Sequence, residues 1–334
     1  MFELAENRDR FRVYRYCRQP EDLETYLTNL RVVLVSDWLC RALIKEGYNV
    51  SLDRNVTEEN AEEQLNLIPY KELASSPLAG EYDAVVTAVA HSAGGFAGEE
   101  EVKPGSARYW LRCETLSVKE PVKVKFSGFD AMLSELNEYG CEPLAFRYFL
   151  TTAHYRNRLN FSLESLKLAQ LTLIRLRARL IDLFQLSKLS ALELGRVFSG
   201  EEAVRDEYNR RFWEHVHNNL ALPSAISTLW QMLKLPYAKL HPLTRLNLLL
   251  EWDQVLGFGL QSYLETGLWW SIRDGAHGDL SRLSPEVKGL VQEYISCDSD
   301  YQRADRIIEE LKAQRFKLYG GRFLLVARQE SRRK

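Results

Sequence analysis

A loop in the first third of this 334-residue chain has residue types that could bind an anion. His91, Gly94 and Gly95 follow the apolar segment 83–90, and backbone N–H groups at such a strand end could cradle a phosphate. The acidic run 99–101 comes directly afterwards and would repel phosphate. A plain flexible loop is therefore the alternative interpretation of this segment.

Basic side chains recur in two neighbouring segments of the middle of the chain. They are His154, Arg156 and Arg158 in the first segment, and Lys167, Arg175, Arg177 and Arg179 in the second. Such patches could contact nucleic-acid phosphates. Simple solvation of arginines on an exposed helix face is the alternative.

Composition limits the function classes. The formal net charge is -2, so only local basic patches, and no global charge, favour nucleic acid. The five cysteines are scattered and form no CxxC pair, which indicates a reduced, cytoplasmic protein rather than a disulfide framework. No apolar run is long enough to cross a bilayer, and the N-terminus lacks a signal core. We therefore predict no membrane association.

The elements that must position these residues begin with an α/β pattern. We predict strands over 12–17, 48–53 and 83–90, and an apolar helix over 30–46 that stops at Gly47. A strand, a crossover helix and a second strand are how a nucleotide-binding parallel sheet begins.

The sequence from 142 to 314 is predicted to be helical. Ser162 is a plausible N-cap for a leucine-rich helix, and Pro242 could open another helix at its first turn. A short amphipathic helix is predicted over 301–314, followed by a hairpin that turns at Gly320 and Gly321.

Four segments resemble cysteinyl-tRNA synthetases, in family order over most of the chain. RYFLTTAHYRNRLN (147–160) is similar to the family's Arg-Tyr-Phe-Leu and His-Tyr-Arg run. NNLALPSAISTLWQML (218–233) resembles its DDFNTP segment, with Asn218 and Asn219 in place of the two Asp. DYQRADRIIEELKAQRFKL (300–318) resembles its C-terminal helix, and VYRYC with the stretch 29–60 resembles its first strand, crossover helix and second strand.

The resemblance implies an α/β plus all-α architecture. It implies a reduced Rossmann-like class I synthetase domain over 1–130 and a connecting segment over 131–160, similar to the stem-contact region. A helical bundle over 161–283 and a small C-terminal α+β region over 284–334 would follow.

The resemblance also implies phosphate-binding motifs, which catalyse by stabilising charge on ATP. Counted back without gaps from Gly47, the place of the HIGH motif is held by Tyr26, Leu27, Thr28 and Asn29, and neither histidine is present.

The place of the KMSKS loop is VKVKFSG (122–128), where Lys125 and Lys123 are the candidates for its lysines. The alternative is an alternating polar strand with solvated lysines. His91 and its glycines could correspond to the family's glycine-rich segment beside adenosine.

The family's zinc ion, which selects cysteine through its thiolate, requires two Cys, one His and one Glu. Cys17 falls at the first ligand position, and the stretch with the second Cys is absent between about 60 and 82. Ala90 and Gly94 occupy the remaining two positions, with His91 displaced by one residue. Zinc is therefore disfavoured, and Cys17 is interpreted as a vestigial core residue.

Three hypotheses of function follow from these residues. The first is a synthetase-like protein that does not activate cysteine but retains a binding role toward tRNA, a nucleotide or a protein partner. The second is an active ATP-dependent ligase for cysteine or another amino acid with altered chemistry, and the third is a structural scaffold. ATP stays open as a cofactor, and the sequence does not fix an oligomeric state.

Overall fold

A computed structural model describes most of the chain. The described residues are 10–18, 22–55, 65–67, 82–89, 107–118, 141–187, 200–265, 269–271, 284–296, 301–314, 316–319 and 323–326.

Four parallel strands form the central sheet. They are β1 (Arg10–Arg15), β2 (Asn49–Arg54), β3 (Tyr82–Ala88) and β4 (Ala107–Cys113), in the order β2-β1-β3-β4. The three predicted strands are confirmed to within two residues. Because the order reverses between β1 and β3, the carboxyl ends of these two strands flank a topological switch point.

Helix α1 (Leu23–Lys45) covers one face of this sheet and begins seven residues before the predicted start. Asp22 caps it, accepting a hydrogen bond from Thr25 N at 2.7 Å. It ends at Lys45 with Glu46 as its C-cap, and Gly47 follows with a φ of +92°, which confirms the predicted glycine stop. Seventeen of its residues are buried, so the helix lacks the polar stripe of a surface helix.

Six helices form most of the region after the sheet. They are α2 (Pro143–Leu150), α3 (Leu163–Leu186), α4 (Glu201–His217), α5 (Leu222–Lys234), α6 (Pro242–Leu256) and α7 (Leu260–Glu265). Ser162 caps α3 in a capping box with Ser165, and Pro242 opens α6, as predicted. A short parallel pair, β5 (Leu116–Val118) with β6 (Leu159–Phe161), joins the two regions.

The C-terminal part contains β7 (Trp269–Ser271), α8 (Pro285–Ile295), α9 (Tyr301–Ala313), β8 (Phe316–Tyr319) and β9 (Phe323–Val326). Strands β8 and β9 pair antiparallel, in agreement with the predicted hairpin, and β7 adds to β9. Helices α8 and α9 enclose an apolar cluster of their own around Val287 and Ile307.

Buried polar contacts fasten α1 to the helical region. Trp38 Nε1 donates to Leu256 O at 3.0 Å, and the fully buried Arg147 reaches Asp37 Oδ2 at 2.5 Å. The same guanidinium donates to Leu256 O at 2.6 Å and Leu65 O at 3.0 Å. The sheet, α1 and the following helices therefore share one large hydrophobic core.

The described residues form a mixed α/β fold with a parallel sheet and a mostly helical remainder. This agrees with the predicted combination of a Rossmann-like region and helices. In the part of the chain that the structure describes, no helix is long and apolar enough to span a membrane.

Candidate nucleic-acid interface

The four residues at the expected HIGH position lie in the first two turns of α1, and all are buried. Thr28 Oγ1 accepts a hydrogen bond from Leu116 N at 3.1 Å. The Asn29 amide accepts from Arg18 N at 3.1 Å and donates to Arg18 O at 2.7 Å. The side chains of Thr28 and Asn29 thus bond backbone groups, and none of the four residues is a cation.

Cys17 is buried two residues after the end of β1. Its backbone N–H donates to Asn55 Oδ1 at 2.8 Å, and Asn55 Nδ2 returns a bond to Cys17 O at 2.7 Å. Burial raises the pKa of Cys113 to about 12 and that of Cys141 to about 11, so these thiols stay protonated. Among the described residues, no three His, Cys, Asp or Glu side chains converge in a group that could hold a metal ion.

Several sequence candidates fall outside the described residues. They are His91, Gly94 and Gly95 of the loop, Lys123 and Lys125 of the segment 122–128, and Ala90 of the expected zinc site.

The basic segment around His154 is a tightly held loop between α2 and β6. The buried Arg31 of α1 donates to the carbonyl oxygens of Glu114, Asn157 and His154 at 2.9, 2.8 and 2.7 Å. Glu114 N also donates to the carbonyl of Tyr155 at 2.8 Å. This loop backbone is therefore fixed against the sheet region through carbonyl groups rather than side chains.

His154 links the loop to the turn between α4 and α5. Its Nε2 lies 2.9 Å from Asn219 O, and its Nδ1 lies 3.2 Å from Arg156 N. Because a carbonyl can only accept and a backbone N–H can only donate, both bonds require the neutral Nε2–H tautomer. Burial lowers the pKa of His154, and the positive charges of Arg156 and Arg31 add to this effect.

Arg156 is exposed and is held by neutral groups. The Asn219 amide, oriented to satisfy both of its ends, accepts from Arg156 Nε at 3.2 Å and Nη1 at 3.1 Å and donates to Tyr155 Oη at 2.6 Å. The guanidinium carbon lies 5.7 Å from the centre of the Tyr155 ring, which itself stacks on His154.

The turn that carries Asn219 has an uncommon backbone. Asn219 has a φ of +60° and Leu220 a φ of +50°, and Leu220 is buried. Asparagine tolerates this left-handed region better than most residues, whereas leucine does so at a cost. Such backbone strain persists where the surrounding contacts hold the residue in this conformation.

The remaining predicted arginines differ in how far acidic neighbours offset their charge. Arg158 is 67% exposed and lies 3.7 Å from Glu114, and Arg179 on α3 is 58% exposed and lies 3.6 Å from Asp182. Arg175 is exposed on α3, as is Lys167.

Arg177 corrects the predicted patch on α3. It is buried and pairs with Glu142 through two hydrogen bonds of 2.5 and 2.9 Å, while its guanidinium also lies over the ring of Tyr263. The reason is helical spacing, because Arg177 lies on the inner face of α3 with Leu173 and Leu180. It is therefore a structural ion pair and not a surface cation.

Sequence reasoning did not identify Arg31, Tyr155 and Asn219 as parts of this surface. Arg31 contacts the backbone of Asn157, and Tyr155 contacts the amide of Asn219; both contacts join residues more than sixty positions apart. Only the contact between Tyr155 and Arg156 is local in the sequence. The only signal in the sequence was Asn218 and Asn219 at a helix junction, where asparagine favours a left-handed turn.

A parallel sheet with a crossover helix, followed by helices that present a basic loop, is compatible with a class I aminoacyl-tRNA synthetase-like protein. Comparison with known proteins finds relatives that share one name. Cysteine–tRNA ligase 1 of Burkholderia lata is 31% identical over 211 residues, which are 62% of this chain and 38% of that protein. The cysteine–tRNA ligase of Borrelia turicatae is 28% identical over 56% of this chain and 37% of its own length.

The enzyme of the same name from Haemophilus influenzae is 38% identical over 37% of this chain and 24% of its own length. No protein-family model matches the chain. These relatives confirm the resemblance: the chain is homologous to the cysteine–tRNA ligases over the matched residues. It spans between about a quarter and two fifths of the length of these relatives.

Proposed function

We propose that this chain is a cytoplasmic, synthetase-like protein that binds tRNA and does not activate cysteine. The observation that carries the proposal is the state of Tyr26, Leu27, Thr28 and Asn29. Where the resemblance places the imidazoles that hold ATP phosphates, these residues are buried and uncharged, and the side chains of Thr28 and Asn29 bond backbone groups.

Loss of this motif removes a large part of the expected catalysis. Phosphoryl and adenylyl chemistry depends on cations and N–H donors aimed at the phosphate oxygens. Threonine and asparagine carry no charge, and the polar groups of these two are already bonded to the backbone of Leu116 and Arg18.

A retained role in tRNA binding is supported by exposed basic side chains. The loop 154–158 and the outer face of α3 carry the exposed cations Arg156, Arg158, Arg175 and Arg179. Curated relatives of the chain are named for cysteine and tRNA. Exposed guanidinium groups suit phosphate oxygens, which they can bind through two parallel hydrogen bonds.

An exchange assay tests the catalytic half of the proposal. Purified chain, ATP, cysteine and labelled pyrophosphate should give no exchange above background, while a cysteine–tRNA ligase such as that of Haemophilus influenzae gives turnover as the positive control. Cysteine-dependent exchange by this chain would contradict the proposal.

A binding titration tests the other half. The dissociation constant for a tRNA transcript with a cysteine anticodon should rise steeply as KCl is increased from about 50 to about 200 mM, because bound phosphates release counterions. The double variant Arg175→Gln/Arg179→Gln should weaken binding and flatten this dependence. Salt-independent binding, or none, would overturn the tRNA assignment.

A further inference from the structure

We infer that Asn219 is a positioning residue that holds the Arg156 guanidinium, with its charge intact, for a phosphodiester group of bound RNA. This inference rests on the proposed function, which it makes specific to one cation and one supporting amide.

The contacts of Arg156 fix its position without neutralising it. Asn219 Oδ1 takes hydrogen bonds from Nε and Nη1, and the Tyr155 ring lies under the guanidinium. Both partners are neutral. Among the described residues no carboxylate lies within ion-pair distance of Arg156, in contrast to Arg158 beside Glu114 and Arg179 beside Asp182.

Free hydrogen-bonding capacity remains after these contacts. A guanidinium has five N–H donors in a rigid fork. Two of them bond Asn219 and a further hydrogen bond joins Arg156 to Tyr155, which leaves the remaining donors for a ligand. A phosphate group has oxygens at the spacing that this fork matches.

The loop backbone that carries Arg156 is itself fixed by hydrogen bonds. Arg31 fixes the loop carbonyls of His154 and Asn157, and His154 Nδ1 accepts from the backbone N–H of Arg156. A side chain that is already ordered loses less conformational entropy when it binds. Arg156 should therefore contribute more to affinity than an unsupported arginine such as Arg175.

The left-handed backbone conformation of Asn219 allows it to contact the loop with both its carbonyl and its side chain. With a φ of +60°, its carbonyl bonds His154 while its side-chain amide bonds Tyr155 and Arg156. The one residue thus contacts three consecutive positions of the loop.

The decisive variant is Asn219→Asp. A carboxylate at this point would accept the same two bonds from Arg156 but pair with its charge, so the fold should be as stable as the wild type or more stable. We expect the dissociation constant for the tRNA transcript to rise about tenfold, the effect of losing one charged hydrogen-bonded contact. The slope of log K against log salt should fall by about one.

Asn157→Asp is the matched control. It adds the same charge to the exposed loop that carries Arg156, but the described bonds of Asn157 are made by its backbone, which the substitution retains. It should weaken binding much less than Asn219→Asp. Arg156→Gln should reproduce the affinity and salt slope of Asn219→Asp.

A second variant, which is expected to fold, tests the role of the amide independently. Asn219→Gly keeps the left-handed backbone and the carbonyl that bonds His154 but removes the amide. It should fold and bind RNA more weakly than wild type, by less than Arg156→Gln, because Arg156 keeps its charge and loses only its support. Thermal unfolding of every variant checks that the loss of affinity is not a loss of structure.

The outcomes separate this inference from the proposed function. If wild type binds and Arg175→Gln/Arg179→Gln weakens binding, but Arg156→Gln does not, the inference fails and the function stands. If Arg156→Gln weakens binding while folded Asn219→Asp and Asn219→Gly match wild type, the role of Asn219 is overturned. If wild type shows no salt-dependent binding, both fall together.

Discussion

His154 makes two hydrogen bonds that together require a neutral imidazole. Protonation would place a second N–H against the backbone N–H of Arg156 and add a charge beside Arg31 and Arg156. The ordinary pKa of histidine is about 6.5, and burial lowers the pKa of His154 in the folded chain. The loop that presents Arg156 is therefore sensitive to acid.

We expect the free energy of unfolding to fall as the pH is lowered from about 6.5 toward the folded-state pKa of His154. In that window the unfolded chain binds a proton that the folded chain does not. The variant His154→Gln, whose amide can still donate to Asn219 O, should lose this part of the pH dependence. Urea titrations of both proteins at pH 7 and pH 5 measure the difference. If the free energy of unfolding changes equally between pH 7 and pH 5 in both proteins, His154 does not titrate in this way.

At the scale of elements, α1 and α2 are joined by the buried pair of Asp37 and Arg147. Arg147 is fully buried, and Asp37 keeps a second partner in Arg41 Nε at 2.7 Å. Gly257, at a φ of +71°, packs against the Arg147 guanidinium so closely that a Cβ would overlap it. The residues that contact this arginine therefore come from three separate parts of the chain, which are α1, the segment 65–66 and the end of α6.

Replacing Arg147 by leucine should destabilise the fold by about 3 to 5 kcal/mol, because Asp37 would stay buried with part of its charge uncompensated. Chemical denaturation measures the loss. The double variant Asp37→Leu/Arg147→Leu should recover part of it. Arg158→Leu, at an exposed ion pair with Glu114, is the control and should cost less than about 1 kcal/mol. A similar small cost for Arg147→Leu would contradict this account.

The elements themselves follow largely from local sequence signals. Ser162, Pro242 and Gly47 mark helix ends by hydrogen bonding and backbone conformation within a few residues, and the structure confirms each of them. The predicted start of α1 was seven residues too late. Leu23, Tyr26, Leu27 and Leu30 have helical spacing, but polar residues lie between them, and Thr28 and Asn29 do not look like core residues. Their burial depends on tertiary contacts, such as the bond from Leu116 N to Thr28 Oγ1.

The candidate surface was predictable only in part. Arg156, Arg158, Arg175 and Arg179 could be identified by type and spacing, and the structure describes each as exposed. The burial of Arg177 depends on Glu142, 35 residues away, and the support of Arg156 depends on Asn219. Such pairings arise from tertiary packing, which a single sequence does not encode as a local pattern.

At the scale of the whole molecule, the described residues divide their apolar packing between separate clusters. The main core includes the sheet, α1 and the helices up to α7, whereas Val287, Val291, Ile307 and Leu311 form a small cluster between α8 and α9. Few buried side chains support the second cluster, so it should open at a lower free energy than the first.

Hydrogen exchange tests this division. Amides in α8 and α9 should exchange faster than those in α1 and α3. Ile307→Ala should accelerate exchange in α8 and α9 while leaving the protection of α1 unchanged, because it removes packing only from the small cluster. Leu249→Ala in the main core is the converse control. Equal acceleration in α1 by Ile307→Ala would indicate a single cooperative unit.

The burial of most of α1 has a consequence for synthesis of the protein. Its tryptophan bonds a carbonyl 218 residues later, at the end of α6. A ribosome would therefore release the sheet and the apolar middle of this helix long before their covering helices exist. The nascent N-terminal half should remain exposed to aggregation, and dependent on chaperones, until about residue 256 has left the exit tunnel.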